Sequence, residues 1–335
     1  MGTNIGKLFP YDTISINKLR GKTLAIDGFY FMYQFLGSIR QRDGTPLKDS
    51  KGRITSHLSG FFYRTIFILE NQIKPIYVFD GEPPKFKKKE LEKRKKAKQE
   101  AEKKLKEAME KGNIEQLKKY AKRTSRVLDY MVEDVKKLLT FMGIPYVQAP
   151  SEGEAQAAYL CQKDLVWSAV SSDYDSLLFG SKRLVKDLHK DQDELRFYEL
   201  DRVLRELRLT RVQLIVAGIL SGCDYTPEGL EGIGPKRALD IAKRYSFDDE
   251  KDFEKVEKYV KWGYDYGLKD VVEFYLNPPV EENVDLTFKQ PNKDELIKFL
   301  CEEHDFSEKR VQNAIEKLEK ASSSTISQSS LFDFM

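Results

Sequence analysis

Pro75-Ile76-Tyr77-Val78-Phe79-Asp80 is a short apolar run closed by a carboxylate, and Gly81-Glu82-Pro83-Pro84 stops it. The same arrangement recurs along the chain. Leu24-Ala25-Ile26 runs into Asp27, and Val166-Trp167-Ser168-Ala169-Val170 runs into Asp173 and Asp175. Ile219-Leu220-Ser221-Gly222-Cys223 ends at Asp224. Runs of this kind predict buried strands of a parallel sheet. Residues just past the carboxyl ends of such strands line the ligand crevice of an open α/β fold. Acids gathered there repel one another and would take up protons unless a cation stands between them, which points to divalent metal.

Between these runs the spacing turns helical. Leu58, Phe61, Phe62, Ile66 and Leu69 predict a core-facing helix over 55–70, and Met131, Val135, Leu138, Leu139 and Met142 predict another over 131–142. A strand over Ile144-Pro145-Tyr146-Val147 leads into Ala149-Pro150-Ser151-Glu152-Gly153-Glu154. Ser151 and Glu154 have capping-box spacing and Glu152 would suit a helix dipole, so a structural role for both glutamates stands beside metal binding. Asp173 and Asp175, two apart on extended backbone, would point to one side. Each alone is also an ordinary turn aspartate. Residues 187–196 read as a polar loop, 276–291 as a Pro-, Glu- and Asn-rich connection, and 293–320 as a final helix.

The 335 residues are 33% charged and 12% aromatic, with mean hydropathy −0.55. No apolar stretch approaches the ~18 residues a membrane span needs. The first residues lack both a signal-peptide core and a myristoylation pattern. Three scattered cysteines argue for a reducing compartment without disulfides, and three isolated histidines argue against structural zinc. The net charge of +3 hides a division: residues 85–126 carry 18 Lys/Arg against 7 Asp/Glu, a local +11, so the remainder carries −8. A solvated helix of i,i+4 ion pairs would explain a charge run. Such one-sided charge directly after a crevice acid suits a polyanion held by one part and cut by another.

Gly232-Ile233-Gly234-Pro235-Lys236-Arg237 is a turn opening a helix, with free backbone N–H groups and two cations beside it, which together make a phosphate seat. The Ser-rich 322–330 is expected to be flexible. Leu331 to Phe334 then look like apolar anchors for a partner's pocket.

These residues together resemble the flap endonucleases of the XPG-type structure-specific nuclease family, most closely the archaeal ones. The match also takes in Ser56-His57-Leu58-Ser59-Gly60, Tyr63-Arg64-Thr65, Met142-Gly143-Ile144-Pro145 and Asp173-Tyr174-Asp175, and runs almost end to end. The resemblance implies a PIN/5′-nuclease-like α/β fold: a mostly parallel central sheet flanked by helices, a helical arch, and a helix–two-turn–helix over about 225–245. It implies that Asp27, Asp80, Glu152 and Glu154 serve one metal and Asp173, Asp175 and Asp224 a second. Two Mg²⁺, replaceable by Mn²⁺, would lie ~4 Å apart for phosphodiester hydrolysis. Lys87 and Arg94 would reach the scissile phosphate and act with Asp80 and Glu152 in catalysis.

Tyr33 would stack a base, and Arg64 would contact a phosphate. Gly232, Gly234, Lys236 and Arg237 would grip duplex backbone with a K⁺ ion. The arch, 85–125, would order only on a threaded 5′ strand. Gln328, Leu331 and Phe334 would dock on the sliding clamp PCNA, although Met335 stands where a second aromatic is usual. The implied division is a nuclease region over 1–130, an internal nuclease region over 131–275, a helical region over 276–321 and a clamp-binding tail over 322–335. The 187–196 loop is shorter than in most relatives, and the basic extension of eukaryotic members is missing. The missing extension suggests an archaeal origin, and the resemblance implies a cytoplasmic, nucleoid-associated monomer without membrane attachment. The activity implied is removal of 5′ flaps from branched DNA in Okazaki-fragment maturation and repair. A non-catalytic junction adaptor, a small-molecule phosphohydrolase and a gap or bubble nuclease are the alternatives.

Overall fold

The structure, a computed structural model, describes residues 3–110, 127–188, 194–227 and 229–332. Its frame is a seven-stranded sheet ordered β1-β7-β6-β5-β2-β3-β4. The strands are β1 (Asp12–Ile14), β2 (Thr23–Asp27), β3 (Lys74–Phe79), β4 (Tyr146–Gln148), β5 (Ser168–Val170), β6 (Arg183–Lys186) and β7 (Leu195–Glu199). The run from β6 to β4 is parallel throughout, and only β7 and β1 pair antiparallel. Strand order reverses between β2 and β5, a switch point at which α/β sheets open a crevice.

Alternation of side chains divides two cores across this sheet. Ala25, Ile76, Val78 and Ala169 face one, and Leu24, Ile26, Tyr77, Phe79 and Val170 face the other. Both faces are buried, which is why Leu24–Ile26 of β2 and Pro75–Phe79 of β3 are apolar without interruption. Helices α1 (Gly28–Ser38), α2 (Ser56–Glu70) and α4 (Asp129–Phe141) cover the second face. Helices α5 (Gly153–Gln162) and α8 (Arg211–Ser221) cover the first. Strands from both the 1–130 and the 131–275 regions build the one sheet.

The basic run forms 3-10 turn Lys85–Lys87 and helix α3 (Lys88–Glu110). The expected substrate-dependent arch is thus a regular helix as far as Glu110, and 111–126 lie outside the described residues. Phe86 fixes its base among Tyr225, Tyr266 and Phe274, with ring centroids 6.3, 4.9 and 5.9 Å away.

Several expectations are corrected. Ile219–Cys223 is not a strand: Ile219 to Ser221 end helix α8, in which every residue from Leu214 to Ser221 is buried. A helix apolar on all sides loses the 3.6 period and looks like strand. Gly222, at φ 98°, then turns the chain toward Asp224. Strand β5 starts only at Ser168, and β4 runs one residue past Val147. The 187–196 loop is overrun at its end by β7, while 189–193 lie outside the described residues. The final helix is two pieces: Lys293–Ile297, extended by a π turn to Glu302, and α13 (Glu308–Phe332), with Asp305 at φ 58° between them. Helix α13 also runs through the serine stretch expected to be flexible. Ala321 and Ser322 remain buried, and Ser323 Oγ donates to the Glu319 carbonyl. Gln328 and Leu331 fall on that helix, whereas Phe334 lies outside the described residues. No described helix is long and apolar enough to cross a membrane.

Candidate active site

Each acid is delivered by the end of an element at the switch point. Asp27 closes β2 and caps α1, accepting from Tyr30 N at 3.0 Å. Asp80 follows β3, and its Oδ1 accepts from Gly153 N at 2.6 Å, thereby capping α5 from outside. A Cβ on Gly153 would stand 2.7 Å from that oxygen, so only glycine permits the approach. The capping-box reading fails here. Ser151 Oγ donates to the Glu82 carbonyl and Glu152 makes no cap bond, which leaves both glutamates for the cleft. Glu152 pairs with Lys87 at 2.7 Å, and Glu154 accepts from Ser171 Oγ at 2.5 Å.

Asp173 and Asp175 do not lie on one extended segment. Tyr174 has φ −104° and ψ −2°, so Asp175 opens the short helix α6 (Asp175–Leu178). It is buried beneath the cleft, where its Oδ1 accepts from Thr3 N at 2.9 Å. Thr3 Oγ1 in turn donates to the Gly218 carbonyl on α8 at 3.1 Å. Asp224 meets Lys87 at 3.2 Å and Arg94 Nη2 at 2.9 Å.

Asp27, Asp80, Glu152, Glu154, Asp173 and Asp224 line one cleft of about 590 Å³ together with Tyr33, Lys87 and Arg94. Burial, then Asp80 and Asp173, push Asp27 up to about 7. Burial, then Asp224 and Asp173, push Asp175 up to about 8. Glu154 is raised for the same reasons, burial first and then Asp175, Asp173 and Asp27. Asp224 goes the other way: burial would raise it, but Lys87 and Arg94 more than offset that.

Among the described residues no three of these acids stand close enough to hold one ion directly. The Lys87 ammonium lies between Glu152 and Asp224 instead. The donor set still fits hard divalent cations held partly through water: it is all oxygen, six acids face one cleft, and mutual repulsion awaits positive charge.

Of the other predicted residues, Tyr33 is 53% exposed at the cleft rim. Arg64 lies elsewhere. It donates to the Leu188 carbonyl and sits 4.7 Å over the Phe67 ring, in a neighbouring groove with Gln34 and Tyr63. Gly232 has φ 69° and Gly234 caps helix α9 (Pro235–Ala242). Arg237 Nη1 donates to the Gly232 carbonyl at 3.1 Å, and Lys236 is exposed. This turn borders a larger cleft of about 890 Å³, whose other wall carries Lys89, Lys93 and Lys96 of α3.

Sequence reasoning passed over several supports. Thr3 and Ser171 leave no local pattern. Lys186 is a buried lysine on β6 that donates to the Ser172 carbonyl and stacks on Tyr174. Glu90 is a buried acid inside the basic run, and its i, i+4 spacing to Arg94 was the available signal.

Known proteins resemble this chain in sequence and in fold. The XPG N-terminal domain matches residues 7–101 and the XPG I-region matches 143–224. Flap endonuclease 1 of Pyrococcus furiosus is 53% identical over 333 residues, 96% of each chain, and that of Staphylothermus marinus is 48% identical over 338 residues, 96% of this chain and 95% of the relative. Among solved structures, flap endonuclease-1 from Methanococcus jannaschii matches with TM-score 0.77 at 44% identity, covering 96% of this chain and 99% of that one. The catalytic core of Rad2 in complex with a DNA substrate matches with TM-score 0.72 at 25% identity, covering 95% and 100%. The chain belongs to the flap endonucleases of the XPG family.

Proposed function

We propose that this flap endonuclease cuts 5′ flaps from branched DNA by two-metal hydrolysis at the switch-point cleft. The observation that carries the reading is the cleft itself, where six acids face two cations, Lys87 and Arg94, across one opening. Asp27, Asp80, Glu152 and Glu154 would hold one Mg²⁺, and Asp173, Asp175 and Asp224 the other, with Mn²⁺ able to replace them. Bound there, such ions supply a water of lowered pKa and stabilise the leaving oxygen.

The protein's own groups do the rest. Lys87 and Arg94 meet at Asp224, so a phosphodiester laid over that acid encounters both cations, which neutralise the charge that develops on it. Tyr33 offers an exposed ring for the base beside the cut. Gly232, Gly234, Lys236 and Arg237 would seat duplex phosphates, with K⁺ on the turn's carbonyls. The 85–125 segment would guide the 5′ strand, and Arg64 would turn outward to a phosphate only after giving up the Leu188 carbonyl. The tail over 322–335, through Gln328, Leu331 and Phe334, would bring a monomer to the sliding clamp PCNA. We assign it to Okazaki-fragment maturation and repair at the nucleoid of an archaeal cell. The regions 1–130, 131–275 and 276–321 would form the nuclease proper.

Single-turnover cutting of single-flap, double-flap, bubble and plain duplex DNA, with and without Mg²⁺, tests this. Asp80→Ala should bind the flap and fail to cut it. Parental turnover in that variant, or equal cutting of plain duplex, would refute the assignment.

A further inference from the structure

We infer that Glu90 is a positioning residue that aims the Arg94 guanidinium at the scissile phosphate. The inference rests on the reading of Arg94 given above and extends it to a residue whose chemistry is opposite in sign.

Glu90 is 2% exposed, although it sits in a segment dominated by lysine. A carboxylate is rarely so buried unless it is paired. Its partner is one turn on: Arg94 Nε donates to Glu90 Oε1 at 2.7 Å. The Arg94 Nη2 goes to Asp224 at 2.9 Å. Two acids thus hold two different nitrogens of one planar group, which fixes the plane as well as the position of the fork. Nη1 donates to neither acid and is left for an incoming phosphate oxygen. One anchor alone would leave the guanidinium free to pivot about the Asp224 contact.

The contact is also built on fixed ground. Phe86, packed among Tyr225, Tyr266 and Phe274, holds the start of α3. Lys87, Leu91 and Arg94 follow at i, i+4 and i+7 and all face the acid cleft. Glu90, at i+3, lies beside that stripe, where it can reach Arg94 without competing for the phosphate. An exposed i,i+4 pair contributes little. Here the carboxylate is buried while the Arg94 side chain stays 44% exposed, so the acid serves as the fixed member and the cation as the working one.

Single-turnover cleavage of a 5′ flap by the full chain in Mg²⁺ tests this with Glu90→Ala, Glu90→Gln, Arg94→Ala and Glu90→Ala/Arg94→Ala, and with Glu100→Ala as a charge-matched control on the same helix. Glu90→Ala should cut about 10-fold slower or worse, since misplacing a catalytic group has that effect, while its flap Kd stays within about 2-fold. Glu90→Gln keeps an oxygen for Nε and should recover most of the rate. The double variant should be no slower than Arg94→Ala alone. If Glu90→Ala slows Arg94→Ala by the same factor as it slows the parent, or if Glu100→Ala matches it, Glu90 acts independently of Arg94 and the inference fails. If Arg94→Ala itself cuts at the parental rate, it is the assignment of Arg94 that fails.

Discussion

Replacing Lys87 with Met tests the electrostatics of the cleft most directly. The Lys87 side chain is 11% exposed, and its ammonium lies 2.7 Å from Glu152 and 3.2 Å from Asp224. Methionine keeps most of the volume and removes the charge, which leaves two buried carboxylates near Asp80 with Arg94 to compensate at Asp224. Breaking a buried pair in this way costs about 3–5 kcal/mol. At about 2.1 cal/mol/K per residue, 335 residues give a melting entropy of ~0.7 kcal/mol/K, so the midpoint in metal-free buffer should fall by about 4–7 °C. Mg²⁺ replaces the missing charge, and at 100 times its Kd one bound ion restores about 2.7 kcal/mol. The variant's midpoint should therefore rise more with Mg²⁺ than the parent's does. Cleavage is a separate matter, because the metal does not replace a donor aimed at the phosphate. The single-turnover rate should drop about 10²–10³-fold with flap binding little changed. Calorimetry in EDTA and in Mg²⁺, beside rapid-quench cutting, reads both effects. A midpoint equal to the parent's in EDTA, or an undiminished rate, would refute the reasoning.

Gly153→Ala should slow cleavage at least about 10-fold, because its Cβ stands 2.7 Å from Asp80 Oδ1 and displaces that carboxylate from its helix cap. Its midpoint should change by no more than a few degrees, as Ala suits a first helical turn, and a parental rate would count against the placement of Asp80. Asp27 and Asp175 are raised to about 7 and about 8, so each is largely protonated below its value and must lose that proton to take a cation. Mg²⁺ binding at pH 7 should release protons and weaken as pH falls from 8 to 6. Titration calorimetry in two buffers of different ionisation enthalpy measures this, and Asp27→Asn should reduce the release. His57 is fully buried and its pKa is lowered from 6.5 to about 4, chiefly by burial. The unfolded chain binds a proton there that the folded chain refuses, so this term costs nothing above 6.5 and removes about 1.4 kcal/mol per pH unit between 6.5 and 4. In urea melts at pH 7 and pH 5, His57→Leu should lose less stability on acidification than the parent.

The legible part of the fold was the part with a pure period. Leu24–Ile26 and Ile76–Phe79 are buried on both faces, and the helices at 55–70 and 131–142 each carry one apolar stripe, so local chemistry alone marked them. Strands β1, β6 and β7 have 3–5 residues of mixed character and are defined by their neighbours rather than by themselves. The end of α8 misled because surrounding protein removes the polar face that would have betrayed a helix. In the site, the acids were visible as strand-end punctuation, and even Asp224, read as following a strand, kept its place. Its supports were not visible. Ser171 donates to Glu154 across 17 residues, and Glu90 looked like one more charge in a charged helix.

Thr3 ties its amide to Asp175 and its hydroxyl to Gly218, partners 172 and 215 positions later. A ribosome releases Thr3 first and the groups that hold it only when some two-thirds of the polypeptide has been made. Asp224 follows later still. The floor beneath the acids therefore closes late in synthesis.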